Sequence, residues 1–267
     1  MGAGIVILFV LTGLIGGFIG GLLGVGGGIL FVPCLDWGFT ALGVKPDLAF
    51  QMAVATSLAI IVVTGLSSAL GHTMHGNLDP RAVLVMACMS VPSSLVGSGI
   101  GNVVGGAVLE RIFGLTALAV AFQFLRPIPI KHDKADREVS VSNYVMVGGI
   151  SGLFSSIIGV GGGILTVPLL HLGLDVPIKR AVANSSGLIV FSALSGCTGW
   201  VLQGLSVEGR PAFSVGYVNL VAWVLISFGA MITAQLGSWA AARTRANRLR
   251  VPFGVLLILV GIEKLLF

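Results

Sequence analysis

The sequence predicts an all-α, polytopic helical membrane protein built from two homologous halves of four spans each. Three observations lead there. Of the 267 residues, 55% are hydrophobic and only 9% are charged, with a mean hydropathy of +1.04, whereas a soluble domain carries roughly 25% charged residues. Apolar runs of the length a helical span needs, about 20 residues, follow one another along the chain. A glycine-rich stretch also occurs twice: Gly24 to Val32 returns as Gly159 to Val167 with one change, Phe31 against Thr166, at an offset of 135 residues.

The first half, residues 1–125, opens with the apolar run Ile5 to Leu23. It lacks the basic flank of a signal peptide and is read as part of the mature protein. Three consecutive glycines, Gly26 to Gly28, cost about 1 kcal/mol each relative to alanine in a helix. The helix is therefore expected to break there and to restart at Ile29, reaching about Val44 through Pro33 and Asp36. The two pieces read either as one kinked helix or as a hairpin. Leu48 to Leu70 is the next span, with Gln51, Thr56 and Ser57 as polar groups, and His72 to Arg81 is a loop. Ala82 to Val104 contains Gly97-Ser98-Gly99-Ile100-Gly101, a small-residue stretch that lets helices approach closely. Leu109 to Leu125 completes the half.

Arg126 to Ser142 holds seven of the 25 charged residues, with Pro127 and Pro129, and is expected to link the halves. Residues 143–267 repeat the plan: Tyr144 to Ile158, the second glycine break, Ile164 to about Leu174, Ala181 to Leu202, Val215 to Trp239 and Leu249 to Phe267. Local matches extend the repeat. Ala53 to Ser57 pairs with Ala181 to Ser185, Ser98 to Gly101 with Ala234 to Gly237, and Phe113-Gly114 with Phe253-Gly254.

The orientation of the halves depends on the glycine elements. If each is a continuous span, the halves are parallel and Lys plus Arg divide 8 to 7 between the two sides. If each enters and returns to the same side, the halves are inverted. Loops 72–81, 126–142, 173–180 and 243–250 then share a side bearing 11 basic residues against 4 on the other. The positive-inside rule places those loops in the cytoplasm and both termini outside. The charge asymmetry favours inversion.

Irregular backbone at membrane depth is tolerated only where it is buried in protein or lines a polar cavity. Two breaks at matching positions in two halves therefore point to a binding site. The segments that restart at Gly28 and Gly163 are helix N-termini, with unpaired N–H groups and a positive dipole end that suit an anion. Gly26, Gly27, Gly28, Gly161, Gly162 and Gly163 are the expected backbone donors; close helix packing is the other use for such glycines. Thr56 and Ser57 stand where the second half has Asn184, Ser185 and Ser186, with Gln51 one turn earlier. These are expected to complete the anion's hydrogen bonds, the alternative being bonds back to their own helix carbonyls. Asp36 and His171 each lie three residues after the repeated proline. As ionisable groups in apolar segments, they are the candidates for ion coupling.

Several function classes fall away. The formal net charge of +5 reads as membrane-protein loops rather than nucleic-acid binding. Cys34, Cys88 and Cys197 lie in apolar segments without CxxC spacing and read as buried small residues rather than a disulfide framework. His72, Met74 and His75, and Met86, Cys88 and Met89, carry soft-metal ligand types, but the second group would not share one helix face, so no metal and no cofactor is expected. Gly24 to Gly28 is not a phosphate loop, because no Gly-Lys-Ser/Thr follows. With no spaced acid or His/Glu cluster in the spans, an enzyme is not expected.

The paired G-x-G-G-G-x-L-x-V-P elements, the small-residue stretch of the third span and the H-x-x-x-G-x-x-D stretch from His72 to Asp79 resemble the TauE/SafE sulfite exporter family, also called the TSUP family. The resemblance covers essentially the whole chain. It implies secondary transport of a small sulfur-containing or organic anion such as sulfite, thiosulfate, sulfoacetate or sulfolactate, in several members as export. The second half departs from the first, with Trp200 to Gly204 standing where the first has His72 to Gly76, and Ser155-Ser156 replacing Gly20-Gly21. The expectation is a multi-pass carrier of the cell (inner) membrane, alone or as a homo-oligomer, coupled to H⁺, Na⁺ or the substrate gradient. A passive anion channel is the alternative.

Overall fold

The computed structural model describes residues 2–74, 76–125, 139–243 and 247–266. Most of the expected linker 126–142 lies outside them, as do His75 and residues 244–246 of the expected loop 243–250. The first half forms α1 (Ala3–Leu23), α2 (Gly28–Ala41), α3 (Pro46–Met74), α4 (Pro80–Val104) and α5 (Gly106–Leu125). The second forms α6 (Val141–Ile158), α7 (Gly163–Pro168) continued by a π-helical turn (Leu169–Gly173), α8 (Ile178–Gln203), α9 (Leu220–Arg243) and α10 (Asn247–Leu266). Among the described residues α1, α3, α4, α6, α8 and α9 contain stretches long and apolar enough to cross a membrane. The molecule is a polytopic helical membrane protein.

The glycine breaks make hairpins, not kinks. Along α1 and α2, Gly16 faces Phe31 and Phe9 faces Gly38, so residue numbers rise on one helix as they fall on the other. The Phe9 and Phe39 rings meet edge to face with centroids 6.5 Å apart. In the second half Gly162 lies against Ser151 and Ser155, and Thr166 Oγ1 donates to Ser151 Oγ at 2.9 Å. Each reversal runs through three glycines with left-handed backbone, at φ 68°, 81° and 85° for Gly24, Gly26 and Gly27 and 75°, 81° and 79° for Gly159, Gly161 and Gly162. Other L-residues occupy that region at a cost of roughly 1–2 kcal/mol each.

Helix directions follow from which residues touch. At the centre α3 and α8 run antiparallel: Leu58 lies by Gly196, Gly65 by Ile189, and Ser68 bonds Ser186. The α5–α10 pair is antiparallel too, with Gly114 by Gly261 and Gly254 by Leu125. By contrast α1 runs parallel to α9. Gly13, Gly17 and Gly21, spaced by four on one helix face, approach the backbones of Ile226, Ala230 and Ala234 so closely that any Cβ would collide, the small-residue contact by which membrane helices associate. The same parallel pairing recurs between α6 and α4, where Gly148 and Gly152 meet Met86 and Ser90. The helix directions leave the α3–α4, α5–α6, α7–α8 and α9–α10 connections at one end of the bundle. The α2–α3, α4–α5 and α8–α9 connections lie at the other.

The core sits on α3, where Phe50, Met52, Leu58, Ile60 and Ile61 are fully buried, while Leu66, Leu70, Leu194, Phe228 and Leu259 present apolar surface outward. Three local expectations need correction. The span expected from Val215 to Trp239 begins at Leu220, because Ser214–Val215 (β1) and Val218–Asn219 (β2) pair antiparallel around Gly216, whose φ is 56°. Asn219 then starts α9, its Oδ1 accepting from the Ala222 N–H at 3.0 Å. The α7 helix gives way to the π-helical turn after six residues. None of the three cysteines is fully buried: Cys88 is exposed, and Cys34 and Cys197 are half-buried.

Candidate functional site

The two glycine turns meet at the middle of α3 and α8. A Cβ added to Gly28 would lie 2.6 Å from Val160 Cα, and one added to Gly163 would lie 2.5 Å from the Gly24 carbonyl oxygen. The side chains of Ile61 and Ile189 pack over Gly26 and Gly161 together. Bringing backbone this close needs glycine on both sides of the contact.

Four hydroxyls hold the turns in place, in two matched pairs. Ser57 Oγ donates to the Gly159 carbonyl at 2.8 Å and Ser185 Oγ to the Gly24 carbonyl at 2.8 Å, each crossing to the opposite half. Thr64 Oγ1 donates to the Gly26 carbonyl at 3.0 Å and Ser192 Oγ to the Gly161 carbonyl at 3.0 Å, each within its own half. Turn carbonyls are thus bonded by side chains, and the leading N–H groups of α2 and α7 have no intrahelical partners. That polarity favours negative charge at the turns. Thr64 and Ser192 were missed in the sequence; their offset of 128 residues matches that between Ser57 and Ser185 and could have found them.

The other polar candidates also make hydrogen bonds within the protein. Thr56 Oγ1 accepts from the Asn219 N–H at 3.1 Å and Asn184 Oδ1 from the Asp79 N–H at 2.8 Å. These two matched side chains therefore tie down the residues that start α9 and α4. Ser186 Oγ donates to the Val182 carbonyl at 3.0 Å and accepts from Ser68 Oγ at 3.1 Å. Gln51 Nε2 donates to the Asn102 carbonyl at 3.4 Å. The structure brings together Gly26, Gly27, Gly28, Gly161, Gly162, Gly163, Ser57 and Ser185. Thr56, Asn184, Ser186 and Gln51 bond to neighbouring helices or to their own.

Asp36 and His171 share a repeat position but not an environment. Asp36 lies eight residues beyond Gly28 on α2, about 12 Å along the helix axis. It meets Lys264 Nζ at 2.5 Å, and the same ammonium reaches Glu110 at 2.9 Å and Glu263 at 3.3 Å. Trp37 Nε1 donates to Glu263 at 3.1 Å. This network, buried at Lys264 and Asp36 and partly exposed at Glu110 and Glu263, joins the first hairpin to α5 and α10. The Lys264 side chain is 3% exposed, and its role was hidden in the sequence by a separation of 228 residues from Asp36. His171 Nδ1 is 2.8 Å from the Val176 carbonyl, where it fastens the end of the π-helical turn.

The comparisons with known proteins agree on one family. The model for the sulfite exporter TauE/SafE family matches residues 9–263, which include both glycine turns. The chain belongs to the TauE/SafE family. It is similar to a probable membrane transporter protein of Haemophilus influenzae, 31% identical over 98% of both chains. It is 29% identical to one of Methanocaldococcus jannaschii over 97% of this chain and 95% of that one. It is also 27% identical to YunE, a probable membrane transporter protein of Bacillus subtilis, over 96% of both. No solved structure matches. As a TauE/SafE protein with six apolar spans among its described residues, the molecule is a multi-pass membrane protein. The family and the names of its relatives indicate a membrane transporter rather than an enzyme.

Proposed function

We propose that the protein is a secondary carrier of a small oxyanion, sulfite first among the candidates, with thiosulfate and small sulfonates as related substrates. The observation that carries this reading is the contact of the two glycine turns at the middle of the bundle. They pair left-handed glycines with carbonyls bonded by Ser57, Ser185, Thr64 and Ser192. An anion at that junction is met by N–H groups and helix ends, as at broken helices in other carriers. Gly26 to Gly28 and Gly161 to Gly163 supply those groups. Ser57 and Ser185 fix the turns that present them.

The antiparallel α3–α8 and α5–α10 pairs support reading the halves as inverted repeats, each hairpin entering from its own side. The positive-inside rule, applied to the 11 basic residues of loops 72–81, 126–142, 173–180 and 243–250, makes the end with the α3–α4 and α7–α8 connections the cytoplasmic one. Direct packing of one turn on the other closes the route between the two sides. A carrier needs such a closed arrangement when it exchanges access, whereas a channel would conduct through a standing gap.

A thermal-shift screen of the purified protein against sulfite, thiosulfate, sulfate, sulfoacetate, taurine and small carboxylates tests the substrate class. A ligand at 100 times its dissociation constant adds about 2.7 kcal/mol of stability. The expected outcome is stabilisation by sulfite or a related oxyanion. Stabilisation by none of the panel would overturn the reading.

A further inference from the structure

We propose that the Ser155 hydroxyl donates a hydrogen bond directly to the transported oxyanion, so that the second glycine turn makes the side-chain contact that the first cannot. This rests on the reading of the turns as the anion site, and it deepens that reading by making the site asymmetric. At the repeat offset, Gly16, Gly20 and Phe31 of the first hairpin correspond to Ser151, Ser155 and Thr166 of the second.

In the first hairpin the Phe31 ring covers the turn, its Cζ lying 2.7 Å from where a Gly27 Cβ would stand. Gly20 is so close that its own Cβ would fall 2.5 Å from the Gly27 nitrogen. Side chains from α1 are excluded there. The second hairpin accommodates one: Ser155 Cβ sits 3.3 Å from the Cβ position of Gly162. No phenyl ring covers the turn, because Thr166 turns its hydroxyl toward Ser151 Oγ and the Gly162 carbonyl, each at 2.9 Å.

The hydroxyls of Ser57, Ser185, Thr64 and Ser192 each donate to a turn carbonyl. Ser155 Oγ is buried, its residue 1% exposed, and it has no hydrogen-bond partner in the protein. An unpaired buried hydroxyl is costly, and this one, in the last turn of α6 beside Gly162, has a donor to give. By the repeat, its Cβ corresponds to the place where a Gly20 Cβ would fall 2.5 Å from the Gly27 nitrogen. Ser156 Oγ is unpaired as well, but it faces Gly196 of α8.

Sulfite affinity, read from the concentration dependence of the thermal shift, is compared in wild type, Ser155→Ala, Ser155→Gly and Ser156→Ala. Ser155→Gly restores the residue of the first hairpin and serves if the alanine variant folds poorly. The expected result is that removing the Ser155 hydroxyl leaves the melting temperature without anion unchanged or higher, since an unpaired group has been deleted. Sulfite affinity should fall at least about tenfold, the worth of a hydrogen bond to a charged group, while Ser156→Ala keeps wild-type affinity. Wild-type affinity in Ser155→Ala or Ser155→Gly would overturn this inference and leave the anion site standing. A wild-type protein that none of sulfite, thiosulfate, sulfate and sulfoacetate stabilises would overturn both.

Discussion

Thr56 and Asn184 occupy the same place in the two halves and perform the same task, each accepting from the N–H of the residue that starts a helix of the opposite half. Their neighbours Ser57 and Ser185, one residue on, reach the glycine turns instead. A helix rotates successive side chains apart by about 100°, so one polar pair serves two purposes. For Asn184→Ala the consequence is a stability change: the Asp79 N–H loses its partner, at a cost of about 1–3 kcal/mol. Thermal unfolding in detergent should show that loss, with sulfite affinity of the folded fraction unchanged. A fall in affinity with unchanged stability would instead return Asn184 to the anion site.

At the scale of elements, the first hairpin is held by a charge network and the second is not matched to it. Lys264 meets Asp36, Glu110 and Glu263 from three helices, whereas His171 at the position of Asp36 only fastens its own turn. Lys264→Met leaves three carboxylates facing one another without a counter-charge. Removing one partner of a buried pair costs about 3–5 kcal/mol, so this variant should unfold well below Trp37→Phe, which loses one hydrogen bond worth about 1 kcal/mol. Equal melting temperatures would show that the network contributes nothing.

The sequence made the breaks legible because glycine is costly in a helix and the repeat placed the same cost twice. It did not show the reversal, since the direction of a chain leaving Gly27 is decided by Phe31 on Gly16 and Phe39 on Phe9, which are tertiary contacts. Lys264 stands beside Glu263 near the end of the last apolar run, and nothing local names Asp36 as its partner. Ser57 and Ser185 were legible as a matched pair, but the acceptors they reach lie in the other half. The β1–β2 hairpin was hidden within a run that reads as apolar from Val215 onward.

At the scale of the whole molecule, the helix directions set the α3–α4 and α7–α8 connections at one end and the α2–α3, α4–α5 and α8–α9 connections at the other, and the inverted reading divides the basic residues of the sequence 11 to 4. Single cysteines at Lys134 and Arg245, in a background lacking Cys34, Cys88 and Cys197, should both be shielded from an impermeant thiol reagent added outside, while one at Arg210 should react. Labelling of only one of Lys134 and Arg245 would contradict the inverted arrangement. The central claim is that the anion crosses where the two turns meet and part. Gly28→Ala probes that contact: the residue opens α2 in helical conformation, and its added methyl falls 2.6 Å from Val160 Cα on the opposing turn and 2.7 Å from Ile61 Cδ1 of α3. The most direct measurement is sulfite counterflow in proteoliposomes, in which labelled sulfite accumulates transiently against unlabelled sulfite inside. The wild type is predicted to overshoot, and an inserted, folded Gly28→Ala protein to show no overshoot; a wild-type overshoot in Gly28→Ala would contradict the account.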